Sequence, residues 1–247
     1  MREQAEINKI AWEYRADEYL NARAGGSPAE VAAKMKENPA VRDFHQKYFE
    51  NVSGKKIANV CGSDGRMAVP LAVRGADVTV FDISEPFKRY ALELAKEAGV
   101  NIEYVLGDFC ETDCVKYGNM FDTIYAEGGI LHLFSDINVF MNTIYAITKP
   151  CGQLVLNDFH PFRKVSVDYF NTELCERSIH GRWYFPEEER ESFPKVMIRL
   201  YNLSEIINAV ISSGFTLIEF LEHPGSELMG LDDKKIPGEF TIIAKKN

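Results

Sequence analysis

KIANVCGSDGRMAVPLAVRGADVTVFDIS, residues 56–84, decides the fold. Ile57–Cys61 is a short apolar run, the form of a strand covered on both faces. The turn Cys61-Gly62-Ser63-Asp64-Gly65 follows and opens a helix that Gly75 ends as a left-handed cap. Pro70 sits early in that helix, so it begins late or bends there. Asp77–Ile83 is a second strand, closing on the acidic Asp82. Strand, glycine turn, helix and strand form a parallel unit whose ligands bind outside the carboxyl ends of the strands.

The same alternation continues downstream. Residues 85–98 form a helix with Phe87, Tyr90, Ala91, Leu94 and Ala95 on one face. Ile102–Leu106 is a third strand, ending at Gly107-Asp108-Phe109, and a short helix is expected at 111–117. Phe121–Ala126 is a fourth strand, 135–148 a helix, and Gln153–Asn157 a fifth strand entered through Lys149-Pro150-Cys151-Gly152. Asn202 and Glu205 make a capping box for another helix, ended by Gly214. Thr216–Leu221 and Phe240–Ala244 close the chain as an antiparallel hairpin. The expected fold is α/β, a doubly wound seven-stranded sheet, mostly parallel with one antiparallel strand.

Two segments stand outside this rhythm. Residues 2–23 read as one amphipathic helix with Ile7, Ile10, Ala11 and Tyr14 on a face and Trp12 and Tyr19 beside it. Helices at 29–37 and 40–50 follow, so residues 1–54 are expected to form a helical cap on a main domain of 55–247. Within that domain, 159–200 is an aromatic, mixed-charge insertion, too long for a structureless loop. Both segments flank the strand ends, so they are expected to form the substrate-side pocket.

Composition narrows the function classes. The chain has 247 residues, 46% hydrophobic and 26% charged, and a net charge of -9. An acidic chain without a basic run repels a phosphate backbone, so nucleic acid is not an expected partner. No segment approaches the roughly 20 apolar residues of a membrane span, and no signal peptide is read at the start, so a cytoplasmic location is expected. The five cysteines include no CxxC pair, so reduced thiols and no metal site are expected.

Three features meet at the strand ends. The 61–65 turn and the helix it opens favour an anion. Asp82 can accept both hydroxyls of a ribose. Asp108 can accept from an exocyclic adenine amine, with Phe109 stacking nearby. Each alone has a plain structural role, since Asp82 or Asp108 could cap the next helix. Their order along one sheet edge is that of an adenosyl site.

On these residues, 55–158 resemble a class I S-adenosylmethionine-dependent methyltransferase. That family's glycine motif, usually D-x-G-C-G-T-G, aligns with Asn59-Val60-Cys61-Gly62-Ser63-Asp64-Gly65. The CGSDGR form resembles that of a bacterial branch of small-molecule methyltransferases. VTVFDIS, GDF, FDTIYAEGGILHLF and KPCGQLVLNDFHPF match the later motifs. Side chains at 61 and 63 crowd the turn unless both residues keep φ < 0, and Ser63 could offset that by donating its hydroxyl to the methionine carboxylate.

The resemblance implies S-adenosyl-L-methionine as cofactor, with S-adenosyl-L-homocysteine as product. Cys61, Gly62, Ser63 and Gly65 would line the methionine moiety, and Asp82 would hold the ribose with Ile83 packed on the adenine. Asp108 and Phe109 would hold the adenine ring, Glu127 and Gly128 would sit near the sulfonium, and Tyr14, Tyr19 or Trp12 would close over the cofactor. Methyl transfer rests mainly on alignment, so a catalytic residue is optional. His132, His160 and Glu127 are the candidates, followed by Asp158. The expected partner is a small-molecule acceptor bound by a monomer or homodimer. Two rival readings are a non-catalytic binding protein on the same fold and an NAD(P)-dependent oxidoreductase. The latter lacks two glycines of its GxGxxG turn in CGSDGR.

Overall fold

The computed structural model describes residues 2–164, 169–171, 173–225 and 236–247. Its centre is a seven-stranded sheet in the order β3-β2-β1-β4-β5-β9-β8. The strands are β1 (Lys56–Val60), β2 (Asp77–Asp82), β3 (Glu103–Leu106), β4 (Phe121–Ala126), β5 (Thr148–Phe159), β8 (Thr216–Pro224) and β9 (Pro237–Lys245). β1 to β5 pair in parallel, and β9 runs antiparallel to both β5 and β8. The sheet expected from the sequence is present, with β9 as its antiparallel strand. The order reverses beside β1, which is where such sheets bind ligands.

The sheet is covered on both faces, which is why its strands read as apolar runs. On one face Ala58, Val60, Ile124, Leu154 and Phe240 pack against α6 (Ile137–Ile147) and α7 (Leu203–Ser212). On the other, Ile57, Val78, Val80 and Tyr125 pack against α4 (Ala68–Val73) and Phe49. Tyr125, Phe140 and Leu71 are fully buried; each such side chain contributes roughly 1.5–3 kcal/mol. Helix α5 (Glu85–Ala98) turns Phe87, Tyr90 and Leu94 toward Tyr19, Leu20, Val31 and Ala32 of the N-terminal helices.

Several local expectations are corrected. Residues 2–23 are two helices, α1 (Arg2–Glu13) and α2 (Ala16–Ala24), broken at Arg15 with φ 52. That break is tertiary in origin. The Arg15 guanidinium lies 4.4 Å over the Phe185 ring and pairs with Glu18 and with Glu189 of the insertion. Helix α3 (Pro28–Glu37) begins where expected, with the Ser27–Glu30 capping box. Residues 40–50 hold a 3-10 helix, Asp43–Tyr48, and the 111–117 helix is replaced by a 3-10 turn at Phe109–Glu111. β5 starts early, at Thr148, and carries Cys151 at φ 62 as an irregularity inside the strand.

The insertion has structure of its own. A hairpin of β6 (Leu174–Ser178) and β7 (Lys195–Arg199) flanks 3-10 turns at His180–Tyr184 and Glu187–Ser192. Helix α1 docks on it. Asn8 Nδ2 donates to the Met197 carbonyl (3.0 Å), and Met197 N–H donates to Asn8 Oδ1 (2.7 Å). These two bonds join helix α1 to the insertion. No helix among the described residues is long and apolar enough to cross a membrane.

Candidate active site

The glycine turn is strained where glycine is replaced. Cys61 has φ 52 and Ser63 has φ 50, so neither keeps the negative φ that would avoid crowding. A non-glycine residue there costs roughly 1–2 kcal/mol. The backbone is held in place all the same. Ser63 N–H donates to Asp82 Oδ2 at 3.0 Å, the Tyr104 hydroxyl donates to the Ser63 carbonyl at 2.9 Å, and Gly65 N–H donates to the Gly62 carbonyl at 3.1 Å. Gly62 is demanded by space rather than by φ: a Cβ there would lie 2.4 Å from Asn59 Oδ1 and 2.9 Å from Val80 Cγ1. Asn59 donates from Nδ2 to the Tyr125 carbonyl, while its buried Oδ1 has no partner.

Asp82 ends β2 against this turn. Its second oxygen accepts the Ser84 N–H at 3.1 Å, so the carboxylate ties the turn to the start of α5. Burial pushes Asp82 up to about 6, opposed by the amides of Ser84, Ser63 and Ile83. Asp108 accepts from the Cys110 N–H at 2.9 Å and caps the 3-10 turn, the plain role open to it from sequence. Phe109 requires a correction. Its ring is buried between Phe81 and Phe140, at centroid distances of 5.6 and 5.3 Å. The aromatic core claims it, so it is not free to stack on an adenine. Burial raises the Cys61 thiol and brings Cys110 to about 12, so both are neutral.

Glu127 and Gly128 follow β4, next to the turn in the sheet. Glu127 Oε2 lies 3.3 Å from Arg42 Nη1; burial raises its carboxyl and Arg42 opposes the rise. A Cβ on Gly128 or on Gly107 would meet nothing within 4 Å, so both strand ends border open space. Asp158 spends its carboxylate on the backbone: Oδ2 accepts from Ile130 N–H at 2.8 Å and Leu131 N–H at 2.7 Å. It orders the turn that carries His132, whose ring stacks on Phe159. His160 is buried. Its Nδ1 accepts from the Phe162 N–H, and its Nε2 lies 3.0 Å from Glu222 Oε1. Its Nδ1 is thus tied to the backbone after β5, while Nε2 approaches Glu222 without hydrogen-bond geometry. A cleft beside it is lined by His132, Phe159, Tyr169, Leu200 and Tyr201.

On the cap side, Tyr19 is buried between Phe87 and Tyr184, and Trp12 meets the Phe87 edge. Tyr14 lies apart, half-exposed against Phe193 of the insertion. Sequence reasoning missed the charges that bind the cap to the turn. Asp64 is 2% exposed and pairs with Arg23 of α2 at 3.3 Å and with Arg66 at 2.8 Å. The acid and arginine of CGSDGR were legible; their partner on α2 carries no local signal. Arg42 was missed for the same reason. Among the described residues no cluster of three or more acidic, His or Cys side chains could hold a metal.

This is the fold of class I S-adenosylmethionine-dependent methyltransferases. Residues 57–152 match the methyltransferase-domain family. The chain is similar to the uncharacterized methyltransferase YbaJ of Bacillus subtilis, 24% identical over 75% of each chain. It is 27% identical to the ubiquinone biosynthesis O-methyltransferase of Actinobacillus pleuropneumoniae over 47% of this chain, and spans 51% of that protein. Among solved structures, an S-adenosylmethionine-dependent methyltransferase from Mesorhizobium loti superposes with TM-score 0.62 at 19% identity, covering 82% of this chain and 97% of that one. A 1,6-didemethyltoxoflavin-N1-methyltransferase from Burkholderia thailandensis, bound to its substrate and S-adenosylhomocysteine, gives 0.62 at 15% identity, over 100% and 90%. Residues 57–152 therefore match a methyltransferase domain, within a chain that has the class I methyltransferase fold.

The residues present fit the cofactor. Open space borders Gly107 and Gly128, the carboxylates of Asp82 and Asp108 flank it, and an unpartnered buried acceptor, Asn59 Oδ1, lies behind the turn.

Proposed function

We propose that the chain methylates a small-molecule acceptor with S-adenosylmethionine held along the ends of β1, β2, β3 and β4. The observation that carries this is the Asp82 carboxylate, which bridges Ser63 N–H and Ser84 N–H. One side chain thus fixes the glycine turn and presents oxygen lone pairs at the end of β2. In this reading Asp82 accepts the ribose hydroxyls, Ile83 packs on the adenine, and Asp108 accepts from the adenine amine. Cys61, Gly62, Ser63 and Gly65 line the methionine end, with Glu127 and Gly128 beside the sulfonium.

When bound, the cofactor supplies an electrophilic methyl group for displacement by the acceptor. The chain's own contribution is alignment and exclusion of water. The cap and insertion close over the strand ends, with Tyr19 and Arg23 nearest the glycine turn. The acceptor enters the cleft of His132, Phe159, Tyr169, Leu200 and Tyr201, whose aromatic walls suit a planar or apolar molecule. Of the three titratable candidates, Glu127 faces the proposed sulfonium end; His160 serves the scaffold, and His132 borders the acceptor.

Isothermal titration with S-adenosylhomocysteine tests this. One-to-one binding in the micromolar range is expected, with most of it lost in Asp82→Ala. No binding at about 1 mM, a free energy near 4 kcal/mol, would refute the assignment.

A further inference from the structure

Arg42 precedes the 3-10 helix Asp43–Tyr48, far in sequence from its polar partners Glu127, Asn157 and Glu239. Its Nη1 donates to Asn157 Oδ1 at 3.0 Å and reaches Glu127 Oε2 at 3.3 Å; its Nη2 lies 2.8 Å from Glu239 Oε2. Asn157 is itself fixed, since Nδ2 donates to the Phe240 carbonyl at 2.8 Å, and both Asn157 and Glu239 are buried. The Phe44 ring covers the guanidinium at 4.8 Å. Three partners on β5, β9 and the 3-10 segment therefore lock Arg42. Its fourth, Glu127, stands at the carboxyl end of β4, toward the open space beside Gly128.

The charged and titratable groups facing Glu127 are Arg42, Arg23 of α2, Glu239 of β9 and Tyr125 of β4. Arg23 also pairs with Asp64, so Glu127 looks across the cleft at the glycine turn. Arg23 is committed to Asp64, while Glu127 and Glu239 share the single guanidinium of Arg42, so the carboxylates on Arg42 exceed its charge by one. A buried site with excess negative charge takes a cation, and an unpaired buried carboxylate would give up its charge instead.

We propose that Arg42 is a positioning residue that clamps the Glu127 carboxylate toward the glycine turn, as an anion matched to the sulfonium cation of the cofactor. This rests on the cofactor placement proposed above. The site then discriminates S-adenosylmethionine, which carries that cation, from S-adenosylhomocysteine, which does not. Glu127 supplies the charge, and Arg42 keeps it there against burial.

The test is titration of the full chain with both compounds between pH 5.5 and 8.5. At pH 8, Glu127→Gln should reduce the preference for S-adenosylmethionine over S-adenosylhomocysteine by about tenfold, or 1.4 kcal/mol. In the unmodified chain the preference should fade on acidification. In Arg42→Gln the midpoint of that fade should move to higher pH by about one unit, and in Arg42→Lys, which keeps the charge but not the fork of donors, by less. A merely structural Arg42 would lower both affinities together and leave the midpoint alone. Thermal melts select whichever Arg42 variant folds. A preference unmoved in Glu127→Gln, or a midpoint unmoved in the folded Arg42 variant, overturns the proposal. Failure of the unmodified chain to bind either compound overturns the cofactor assignment instead.

Discussion

The sharpest stability prediction concerns the glycine turn, where two neighbouring substitutions should act in opposite directions. Ser63 holds φ 50, and the bonds that pin it run through its backbone N–H and carbonyl, which glycine keeps. Ser63→Gly should relieve about 1–2 kcal/mol of left-handed strain. It gives back roughly 0.5–1 kcal/mol in unfolded-chain entropy. The net is a change of about 0–1.5 kcal/mol in the stabilising direction, or at most roughly 6 °C in Tm for a chain of this size. Gly62→Ala should do the reverse. Its Cβ would lie 2.4 Å from Asn59 Oδ1, on a side chain fixed by its bond to the Tyr125 carbonyl. Overpacking costs about 1–3 kcal/mol, and displacing the Asn59 amide about 1 more. Scanning calorimetry and urea melts on both variants measure this. A Ser63→Gly variant destabilised by about 1 kcal/mol or more would refute the strain argument. So would a Gly62→Ala variant as stable as the parent.

Asp64→Ala should leave the Arg23 and Arg66 guanidinium groups without their buried carboxylate. Breaking a fully buried pair costs about 3–5 kcal/mol, and the partial exposure of both arginines reduces this to about 2. Urea denaturation should show that loss, with part of it recovered in Asp64→Asn. The pH dependence of cofactor binding should follow Asp82. Its folded-state value is raised to about 6, so it is protonated below that pH and ionised above it. A protonated acid accepts ribose hydroxyls less well, so S-adenosylhomocysteine affinity should fall as pH drops through about 6. Titrations from pH 5 to 8 check this, and Asp82→Asn should be weak and flat across the range.

The sheet was legible because each strand is buried on both faces and each helix carries one apolar stripe. Asp82 and Asp108 were legible because parallel strands put their carboxyl ends on one edge. What stayed hidden was set by contacts distant in sequence. The break at Arg15 depends on Phe185 and Glu189, which no pattern within 2–23 encodes. Phe109 sits beside the adenine motif, yet Phe81 and Phe140 draw its ring into the core. The positive φ at Cys61 and Ser63 runs against residue preference, and the bonds from Asp82 and Tyr104 impose it at Ser63. Arg23 and Arg42 read as ordinary helix-surface cations until the cap is folded over the sheet.

The central claim is that the adenosyl group lies along the ends of β1 to β4 with its ribose on Asp82. The most direct measurement is a crystal structure with S-adenosylhomocysteine. The prediction is both ribose hydroxyls within hydrogen-bonding distance of the Asp82 carboxylate and the methionine end over residues 61–65. Electron density for the ligand away from this edge, with Asp82 facing no hydroxyl, would contradict the account.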